Sequence, residues 1–416
     1  MVQLTQDCYA FGKKLVKLES ALNKINKNIK CSQPIEDISV KNSLNRILAN
    51  DVISKSNIPP YSNSAVDGYA IRYKEYRSGN RRFTIVGKST AGHPYNNKVK
   101  KLDAIKILTG AMLPYGFDTI IMEEDCIVIN KCLKVPNKIL RHMNYRHLGE
   151  DIKSKTKVFN IGHKLRPQDI GVLYSLGIKK IKTYVQLKVC VFSCGDELTN
   201  LEQPLKKGHI YDSNRSMLIN FLSKLGCKVR DLGILKDDKR VIIKKLNNAA
   251  KNNDFIITSG GMSLGEEDHI KPLIANKGTI HVWRLAIKPG RPVGFGHYNK
   301  IPILGLPGNP AAAFVTFLMI GIPILKKISG QATIKNNYIP INVNFTHRKK
   351  TGRKEFIRVQ LAHKGTKLIL NKFHKEGAGI LSSASWATGL GIIEDNIENI
   401  KLNDKINYIS LNELLS

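Results

Sequence analysis

Residues 187–330 alternate short apolar runs with amphipathic helical stretches, and this alternation restricts the fold more than any other feature of the chain. The run LKVCVFS predicts a strand, NRSMLINFLSKLG predicts a helix that ends at Gly226, and CKVRDLG predicts a second strand. The stretches KRVIIKKLNNAAKN and DFIITSGG then repeat the cycle. Because strands that alternate with helices over short connections form parallel sheets, we predict a doubly wound α/β domain that binds ligands at the carboxyl ends of its strands.

The flanking segments predict three further structural units. Val40, Leu44, Ile47 and Leu48 recur at helical spacing, and RPQDIGVLYSLGIKKIKTY indicates a helix followed by a strand. Short apolar runs separated by Gly, Pro and Asn lie between them, and further alternating runs such as YIPINVNF and EFIRVQL follow the α/β domain. We therefore predict an α/β multidomain protein with a helical linking domain at 1–53 and 158–186, an inserted mostly-β domain at 54–157, the α/β domain at 187–330 and a C-terminal β domain at 331–416.

The chain carries a large excess of positive charge, with 66 lysines and arginines against 33 acidic residues. Such a balance is typical of proteins that bind nucleic acids or anionic substrates. Here the lysines are scattered among asparagines and isoleucines throughout the chain, as in NKINKNIK and KKLNNAAKNN. This pattern favours a solvated basic surface, so we expect no nucleic acid as a partner.

Cysteine usage and hydropathy bear on the cellular compartment in which the protein is expected to act. Seven cysteines, an odd number without a CxxC pair, favour neither a disulfide framework nor a zinc knuckle. The amino-terminal residues lack the layout of a secretory signal, and the longest apolar run, 311–325, is interrupted by Gly321 and Pro323. We therefore expect a soluble, cytoplasmic protein with reduced thiols that does not enter a membrane.

Acidic residues follow three predicted strands of the α/β domain. They lie in the loops SCGDEL, GILKDD and SGGMSLGEEDH and comprise Asp196, Glu197, Asp237, Asp238, Glu266, Glu267 and Asp268. Carboxylates that converge at the carboxyl ends of strands, in a strongly basic chain, indicate a site for a hard divalent cation such as Mg²⁺, which prefers oxygen ligands. Each loop taken singly is better explained as a turn or a helix cap, and only their joint position favours a functional site.

Two turns further along the chain favour an anionic ligand. The stretch WRLAIKPGRP places Arg284, Lys288 and Arg291 around a Pro-Gly turn, and LGLPGNPAAA frames a second turn between Pro307 and Pro310. Cations fixed beside such turns suit phosphate, although a bare Pro-Gly turn is more often only a turn. The fingerprints of dinucleotide-binding and P-loop sites do not occur in the sequence.

A series of motifs makes a resemblance to one family specific. In chain order they are PPYSNSAVDGYAIR, ILTGAMLPYGFDTIIMEED, LRPQDIGVLYSLGI, GDEL, YDSNR, SGGMSLGEEDHIK, LAIKPGRP and GLPGNPAAA. From about residue 35 onward the chain resembles the molybdopterin molybdenumtransferases, the MoeA-type enzymes, a family that includes the E domain of gephyrin. The resemblance implies insertion of molybdate into the dithiolene of adenylylated molybdopterin, with Mg²⁺-dependent release of AMP. It also implies four domains and an elongated homodimer.

The same resemblance implies roles for individual residues. The implied catalytic residues are Asp67, Thr109, Asp151, Glu197, Asp237 and Asp268, of which Glu197, Asp237 and Asp268 would bind Mg²⁺. The implied substrate contacts are Arg284, Lys288, Arg291, Pro307, Pro310, Arg353, Ser382 and Ser383. Many relatives have lysine where this chain has Arg284 and Arg291. In the family dimer the inserted domain faces the α/β domain of the partner chain, which implies an active site shared between two chains.

Two other functions remain open on the sequence alone. One is the preceding step, adenylyl transfer to molybdopterin, which a related stand-alone α/β domain performs; the three additional domains argue against it. Molybdopterin adenylyltransferase is instead a candidate partner that delivers the substrate. The other is a non-catalytic scaffold or nucleic-acid-binding protein, because one fold can serve several functions. Retention of Glu197, Asp237 and Asp268 together favours the enzyme.

Overall fold

The computed structural model describes residues 15–236, 238–261, 274, 276–332 and 336–415 of the 416-residue chain. In this part of the chain, three six-stranded sheets form, and two-stranded ribbons join or flank them. Buried apolar clusters lie against each of the three sheets. The acids predicted at 237 and 268 lie outside the described residues.

Residues 15–186 contain a linking unit and an inserted β domain. The elements are α1 (Leu18–Asn28), β1 (Ile35–Ser39), β2 (Val52–Ile53), β3 (Asn63–Ser64), β4 (Gly68–Ile71), α2 (Tyr73–Arg77), β5 (Arg82–Ser89), β6 (Asp103–Ile107), β7 (Thr119–Met122), β8 (Ile127–Ile129), β9 (Cys132–Lys134), β10 (Tyr145–Arg146), β11 (Lys157–Phe159), α3 (Pro167–Ser175) and β12 (Lys180–Tyr184). The inserted sheet has the order β7-β4-β6-β5-β9-β8. The antiparallel ribbons β1–β12 and β2–β11 pair the segment before this sheet with the segment after it. The two ends of the insertion are thereby held side by side.

The expected helix through Val40, Leu44, Ile47 and Leu48 is wrong. Only Val40–Asn42 forms a helical turn, and Asn45 has a φ of 62°, which a right-handed helix excludes. Leu44 is exposed, whereas Leu48 is fully buried and forms a bridge to Thr183. The apolar spacing therefore reflects packing across the linking unit, and the helix of this region lies earlier, at α1.

Asp169 holds the start of α3 in place. Its buried carboxylate accepts hydrogen bonds from the backbone N–H of Arg166 at 2.9 Å and from Arg166 Nε at 3.0 Å, and it lies 2.8 Å from His163 Nε2. Burial alone would raise the pKa of Asp169, but the contacts with Arg166 and His163 outweigh it and lower the pKa to about 2. Because the folded pKa is lowered, the charged carboxylate stabilises the fold above the unfolded pKa of about 3.9, and this stabilisation is lost as the pH falls towards 2.

We expect Asp169→Asn to lower the free energy of unfolding by roughly 1 to 2 kcal/mol at neutral pH. Urea unfolding of both proteins at several pH values measures the effect, and the difference should shrink as the pH falls below about 4. Asp37→Asn, an exposed position on β1, serves as the control and should change stability little. A difference that stays constant with pH would show that the charge of Asp169 is not what stabilises α3.

Residues 187–330 form the α/β domain. The elements are β13 (Lys188–Cys194), β14 (Leu198–Thr199), β15 (Ile210–Tyr211), α4 (Ser213–Lys224), β16 (Lys228–Leu235), α5 (Lys239–Asn252), β17 (Phe255–Ser259), β18 (Gly278–Trp283), β19 (Ile287–Lys288), β20 (Gly294–Tyr298), β21 (Ile301–Leu306), α6 (Pro310–Thr316) and α7 (Ile322–Ile328). The sheet order is β16-β13-β17-β21-β20-β18, with the first four strands parallel and the last two antiparallel. Val189 and Val191 pack in one core with α4, whereas Cys190 and Phe192 pack in another with α5. Helices cover both faces, as expected of a doubly wound sheet.

Pro310–Ile328 is the apolar helical segment of the domain and comprises α6, a π-helical stretch at Phe317–Gly321, and α7. By length and composition it is the one helix among the described residues that is able to cross a membrane. In the fold, however, 83% of its apolar window is buried inside the protein. Such burial is typical of the core helix of a globular domain.

The C-terminal residues form a small barrel. The elements are β22 (Ile339–Val343), β23 (His347–Arg348), β24 (Lys354–Lys364), β25 (Lys367–Lys372), α8 (Ser382–Trp386), β26 (Gly389–Ile393), β27 (Asn399–Ile400), β28 (Lys405–Ser410) and α9 (Leu411–Leu415). Since β24 pairs with both β25 and β26, the order β24-β25-β22-β28-β26 closes on itself. Strand β19 of the preceding segment pairs in parallel with β24, at Ile287↔Lys354 and Lys288↔Glu355. The predicted class, α/β multidomain with two β domains, is confirmed.

Candidate active site

A cavity of about 290 Å³ is lined by residues of the α/β domain and of the C-terminal barrel. One wall is the turn around Lys288 and Arg291, a second is the turn at Pro307, and the third comprises β24 and the segment that follows β25. The charged side chains of the lining are Lys288, Arg291, Arg353, Glu355, Arg358, Lys372, Lys375 and Glu376. Six cations against two carboxylates make the cavity strongly attractive for an anion.

The turn that carries Lys288 packs closely against helix α6. Gly290 has a φ of 107°, and a Cβ at this position would lie 2.2 Å from Thr316 Oγ1 on α6. Only glycine therefore fits between the turn and the helix. The turn is closed by a hydrogen bond from the N–H of Leu285 to the carbonyl of Arg291 at 3.0 Å. These constraints fix the backbone from which Lys288 and Arg291 reach the cavity.

The second wall is held by Asn214, near the start of α4. Its Nδ2 donates to Ser259 Oγ at 2.8 Å and to the carbonyl of Gly308 at 2.7 Å. Ser259 Oγ in turn donates to the carbonyl of Pro307 at 3.3 Å. The carboxyl ends of β17 and β21 are thereby joined. Asn214 was not predicted, and the available signal was its place in the motif YDSNR.

Arg358 is a second residue that the sequence did not single out. Its buried guanidinium donates from Nε to Ser383 Oγ at 3.0 Å and from Nη2 to the carbonyl of Gly377 at 3.1 Å. Burial lowers the pKa of Arg358. Because the ordinary pKa of a guanidinium is very high, the side chain still carries its charge. Ser383 thus holds an arginine of the cavity wall, whereas Ser382 is exposed. The available signal was a charged residue in the middle of the apolar run EFIRVQL.

Of the three acids predicted to bind Mg²⁺, the structure describes Glu197. It is exposed just beyond the end of β13, and its carboxylate lies over Gly195, where a Cβ would come within 2.5 Å of the carboxylate oxygen. Among the described residues, no three His, Cys, Asp or Glu side chains are grouped so as to hold a metal ion. The carboxylate oxygens of Glu197 are of the type that Mg²⁺ prefers.

The predicted residues of the inserted domain lie outside the cavity lining. Asp67 and Thr109 are exposed, and the carboxylate of Asp67 accepts hydrogen bonds from Thr109 N and Thr109 Oγ1, each at 2.7 Å. These bonds, with smaller effects of Lys106 and Lys88, lower the pKa of Asp67. Asp151 is also exposed, and its N–H donates to the carbonyl of Ile58. Residues 54–157 contribute nothing to the described lining of the cavity.

Three family models match in succession: "MoeA N-terminal region (domain I and II)" at 16–177, "Probable molybdopterin binding domain" at 190–327 and "MoeA C-terminal region (domain IV)" at 343–411. A protein of Haemophilus influenzae named molybdopterin molybdenumtransferase is 34% identical over 409 residues, which cover 96% of this chain and 100% of the relative. The chain belongs to the MoeA family. The resemblance predicted from its motifs is confirmed.

Two further relatives support the assignment to the MoeA family. Gephyrin of Dictyostelium discoideum is 31% identical over 74% of this chain and 49% of its own length. A crystal structure of a molybdopterin biosynthesis MoeA protein from Pyrococcus horikoshii OT3 is 27% identical, with a TM-score of 0.82 over 95% of this chain and 100% of that chain. The fold of the MoeA family therefore extends over nearly all of this chain.

In this MoeA-family chain the predicted substrate contacts divide into two sets. Lys288, Arg291, Pro307 and Arg353 line one cavity, whereas Arg284, Pro310, Ser382 and Ser383 are not part of its described lining. Arg284 has a φ of 59°, and its backbone hydrogen-bonds to Val16 and Val293. Burial, with a smaller effect of Arg291, lowers the pKa of Arg284. Arg284 therefore fixes the strand that leads into the Lys288 turn.

Proposed function

We propose that this MoeA-family chain inserts molybdate into the dithiolene of adenylylated molybdopterin and releases AMP. The chain is an enzyme of molybdenum cofactor biosynthesis. The observation that carries the detailed proposal is the cationic cavity at the junction of the α/β domain and the barrel. Both substrates are anions, because molybdate is an oxyanion and the adenylylated pterin carries a diphosphate. Six cations in one cavity suit this pair.

The residues of the cavity bind and orient, and none needs to act as a nucleophile. Lys288 and Arg291 project from a fixed turn, and the guanidiniums of Arg353 and Arg358 can hold oxyanions by paired hydrogen bonds. The dithiolene sulfurs of the pterin are themselves the ligands of the incoming molybdenum. The contribution of the protein is therefore positioning and the stabilisation of negative charge.

Glu197, with Asp237 and Asp268 from the other two acidic loops, would hold Mg²⁺ for this reaction. Mg²⁺ bound there would neutralise phosphate charge and polarise phosphate oxygens. The support is the donor type of Glu197 and its position at the carboxyl end of β13.

We further propose that the chain acts in the cytoplasm as a homodimer whose active sites are shared between chains. The support is the exposed Asp67–Thr109 pair, which lies in the inserted domain and apart from the cavity lining of its own chain. A molybdopterin adenylyltransferase would supply the adenylylated substrate, and no nucleic acid is required.

The test is an assay of the purified protein with adenylylated molybdopterin, molybdate and Mg²⁺. We expect one AMP released for each molybdenum incorporated, and no consumption of ATP when bare molybdopterin is supplied. Consumption of ATP would instead identify the adenylyl-transfer step. Binding of the pterin without either reaction would favour a scaffold.

A further inference from the structure

The strand pairing that joins the domains places a buried acid beside Lys288, one of the six cations of the cavity. Lys288 on β19 is the register partner of Glu355 on β24, and Lys288 Nζ lies 2.9 Å from Glu355 Oε1. The side chain of Lys288 is 45% exposed, whereas that of Glu355 is 8% exposed. Glu355 therefore holds Lys288 from the protein side and offsets part of the charge that Lys288 presents to the cavity.

A buried histidine lies behind Glu355. His347 Nε2 is 3.3 Å from Glu355 Oε2, and the side chain of His347 is only 4% exposed. On the other side of the ring, Nδ1 lies 3.4 Å from Glu376 Oε1 and 3.4 Å from Lys372 Nζ. Neither His347 Nε2 nor Glu355 Oε2 makes a hydrogen bond to a described residue. Lys372 Nζ also donates to Glu376 Oε1 at 2.7 Å. A neutral imidazole with its proton on Nε2 therefore faces Glu355 with its N–H and leaves Nδ1 to accept from Lys372, whereas a protonated imidazole presents an N–H to each carboxylate.

Charged side chains from several elements surround His347 and Glu355. Lys288 lies on β19, Glu355 and Arg358 on β24, Lys372 at the end of β25, and Glu376 in the following segment. The buried Lys349 next to β23 donates to the carbonyl of Arg353 at 2.8 Å, and burial lowers its pKa. For Glu355, burial alone would raise the pKa, but His347 and Lys288 lower it overall. Glu355 is therefore charged at neutral pH.

We propose that Glu355 is a positioning residue for Lys288, and that the protonation of His347 sets how much of the Lys288 charge the cavity offers to an oxyanion. When His347 is neutral, the carboxylate of Glu355 is balanced mainly by Lys288. When His347 gains a proton, the carboxylate is shared with the imidazolium, and Lys288 becomes available to the ligand. Binding of an oxyanion is then coupled to uptake of a proton at His347. This inference rests on the proposed function only in taking the occupant of the cavity to be an oxyanion.

The test is calorimetric titration of the whole protein with molybdate alone, and with sulfate as a second probe. Both are dianions that keep their charge between about pH 6 and pH 8, the range in which histidine titrates. For the wild-type protein we expect several-fold tighter binding at the lower pH, with proton uptake measured from the dependence of the heat on the buffer. His347→Gln should abolish both the pH dependence and the proton uptake.

Glu355→Gln is a second, independent test, because we expect this variant to bind molybdate more tightly. Removing the carboxylate should tighten binding of molybdate at the higher pH to about the wild-type level at the lower pH, and should remove the pH dependence. The same variant should lower the rate of AMP release, because Lys288 is no longer held. Loss of a merely structural residue would instead weaken binding at every pH. His363→Gln on the exposed end of β24 and Glu398→Gln on the surface are the matched controls, and both should behave as wild type.

Several outcomes would overturn the proposal. They are unchanged pH dependence in His347→Gln, weaker binding in Glu355→Gln with a wild-type thermal melt, or no binding of molybdate at either pH. If His347→Gln does not fold, Glu355→Gln still decides. The titration is independent of the reaction: pH-linked binding without AMP release would contradict only the proposed function, and AMP release without pH-linked binding would contradict only this inference.

Discussion

Mixed dimers of an Asp67→Asn chain and a Glu197→Gln chain are expected to regain up to about half of the wild-type rate of AMP release. The homodimer of either variant should have almost none, because both of its sites carry one defect. If the sites are shared as proposed, one site of the mixed dimer carries both defects and the other carries neither. The physical basis is that the exposed Asp67–Thr109 pair lies in the inserted domain, whereas Glu197 lies just beyond the end of β13 in the α/β domain.

The decisive control places both substitutions in one chain and pairs it with a wild-type chain. If sites are shared, each site of that dimer has one defect and the dimer is inactive. If each site belongs to one chain, the same dimer keeps half of its activity, and the dimer of two single variants has none. Two affinity tags allow each mixed dimer to be purified before the assay. The two arrangements therefore give opposite results, and inactive dimers of two single variants would exclude sharing.

Lys288→Ala is expected to weaken binding of adenylylated molybdopterin by roughly ten- to a hundred-fold. Loss of one charge-assisted contact costs about 1.5 to 3 kcal/mol, which corresponds to this range. The substitution also leaves Glu355 without its lysine partner at 2.9 Å, so that a carboxylate with only His347 beside it lines the cavity of the anionic ligand. The effect should therefore lie towards the upper end of the range.

Equilibrium titration of the variant with adenylylated molybdopterin measures this effect. The double variant Lys288→Ala with Glu355→Gln should recover part of the lost affinity, since the carboxylate that repels the anion is gone. Lys364→Ala, at the far exposed end of β24, removes one positive charge elsewhere and should leave the dissociation constant unchanged. A wild-type dissociation constant in Lys288→Ala would place the phosphate site outside this cavity.

Elements governed by local sequence were predicted closely. The stretch KRVIIKKLNNAAKN corresponds to α5, and the side chain of Asp238 caps it by accepting hydrogen bonds from the N–H groups of Arg240 and Val241. Its apolar periodicity and its cap both lie within one short segment. The false helix at 40–48 has the opposite origin, since Leu48 is buried by partners near residues 163 and 183. Apolar spacing alone does not distinguish a helix from an irregular segment packed on distant strands.

The residues of the candidate site also divide into those predicted from local sequence and those placed by distant strand pairing. Lys288, Arg291 and Pro307 lie in turns whose Pro and Gly residues are visible in the sequence. His347, Glu355 and Arg358 come from the barrel, and their role depends on the register between β19 and β24. A register between strands so far apart in the chain leaves no local signal. The motifs identified the family, and the strand pairing identified the partners of Lys288.

The pairing of β19 with β24 also determines what remains of this cavity when the α/β domain is separated from the barrel. An α/β domain copied alone, as residues 187–330, would keep Lys288 and Arg291 but lose Glu355, Arg358 and the rest of the barrel wall. It would also expose the hydrogen-bonding edge of β19. The cavity therefore requires both domains, and the α/β domain without the barrel lacks one of its cationic walls.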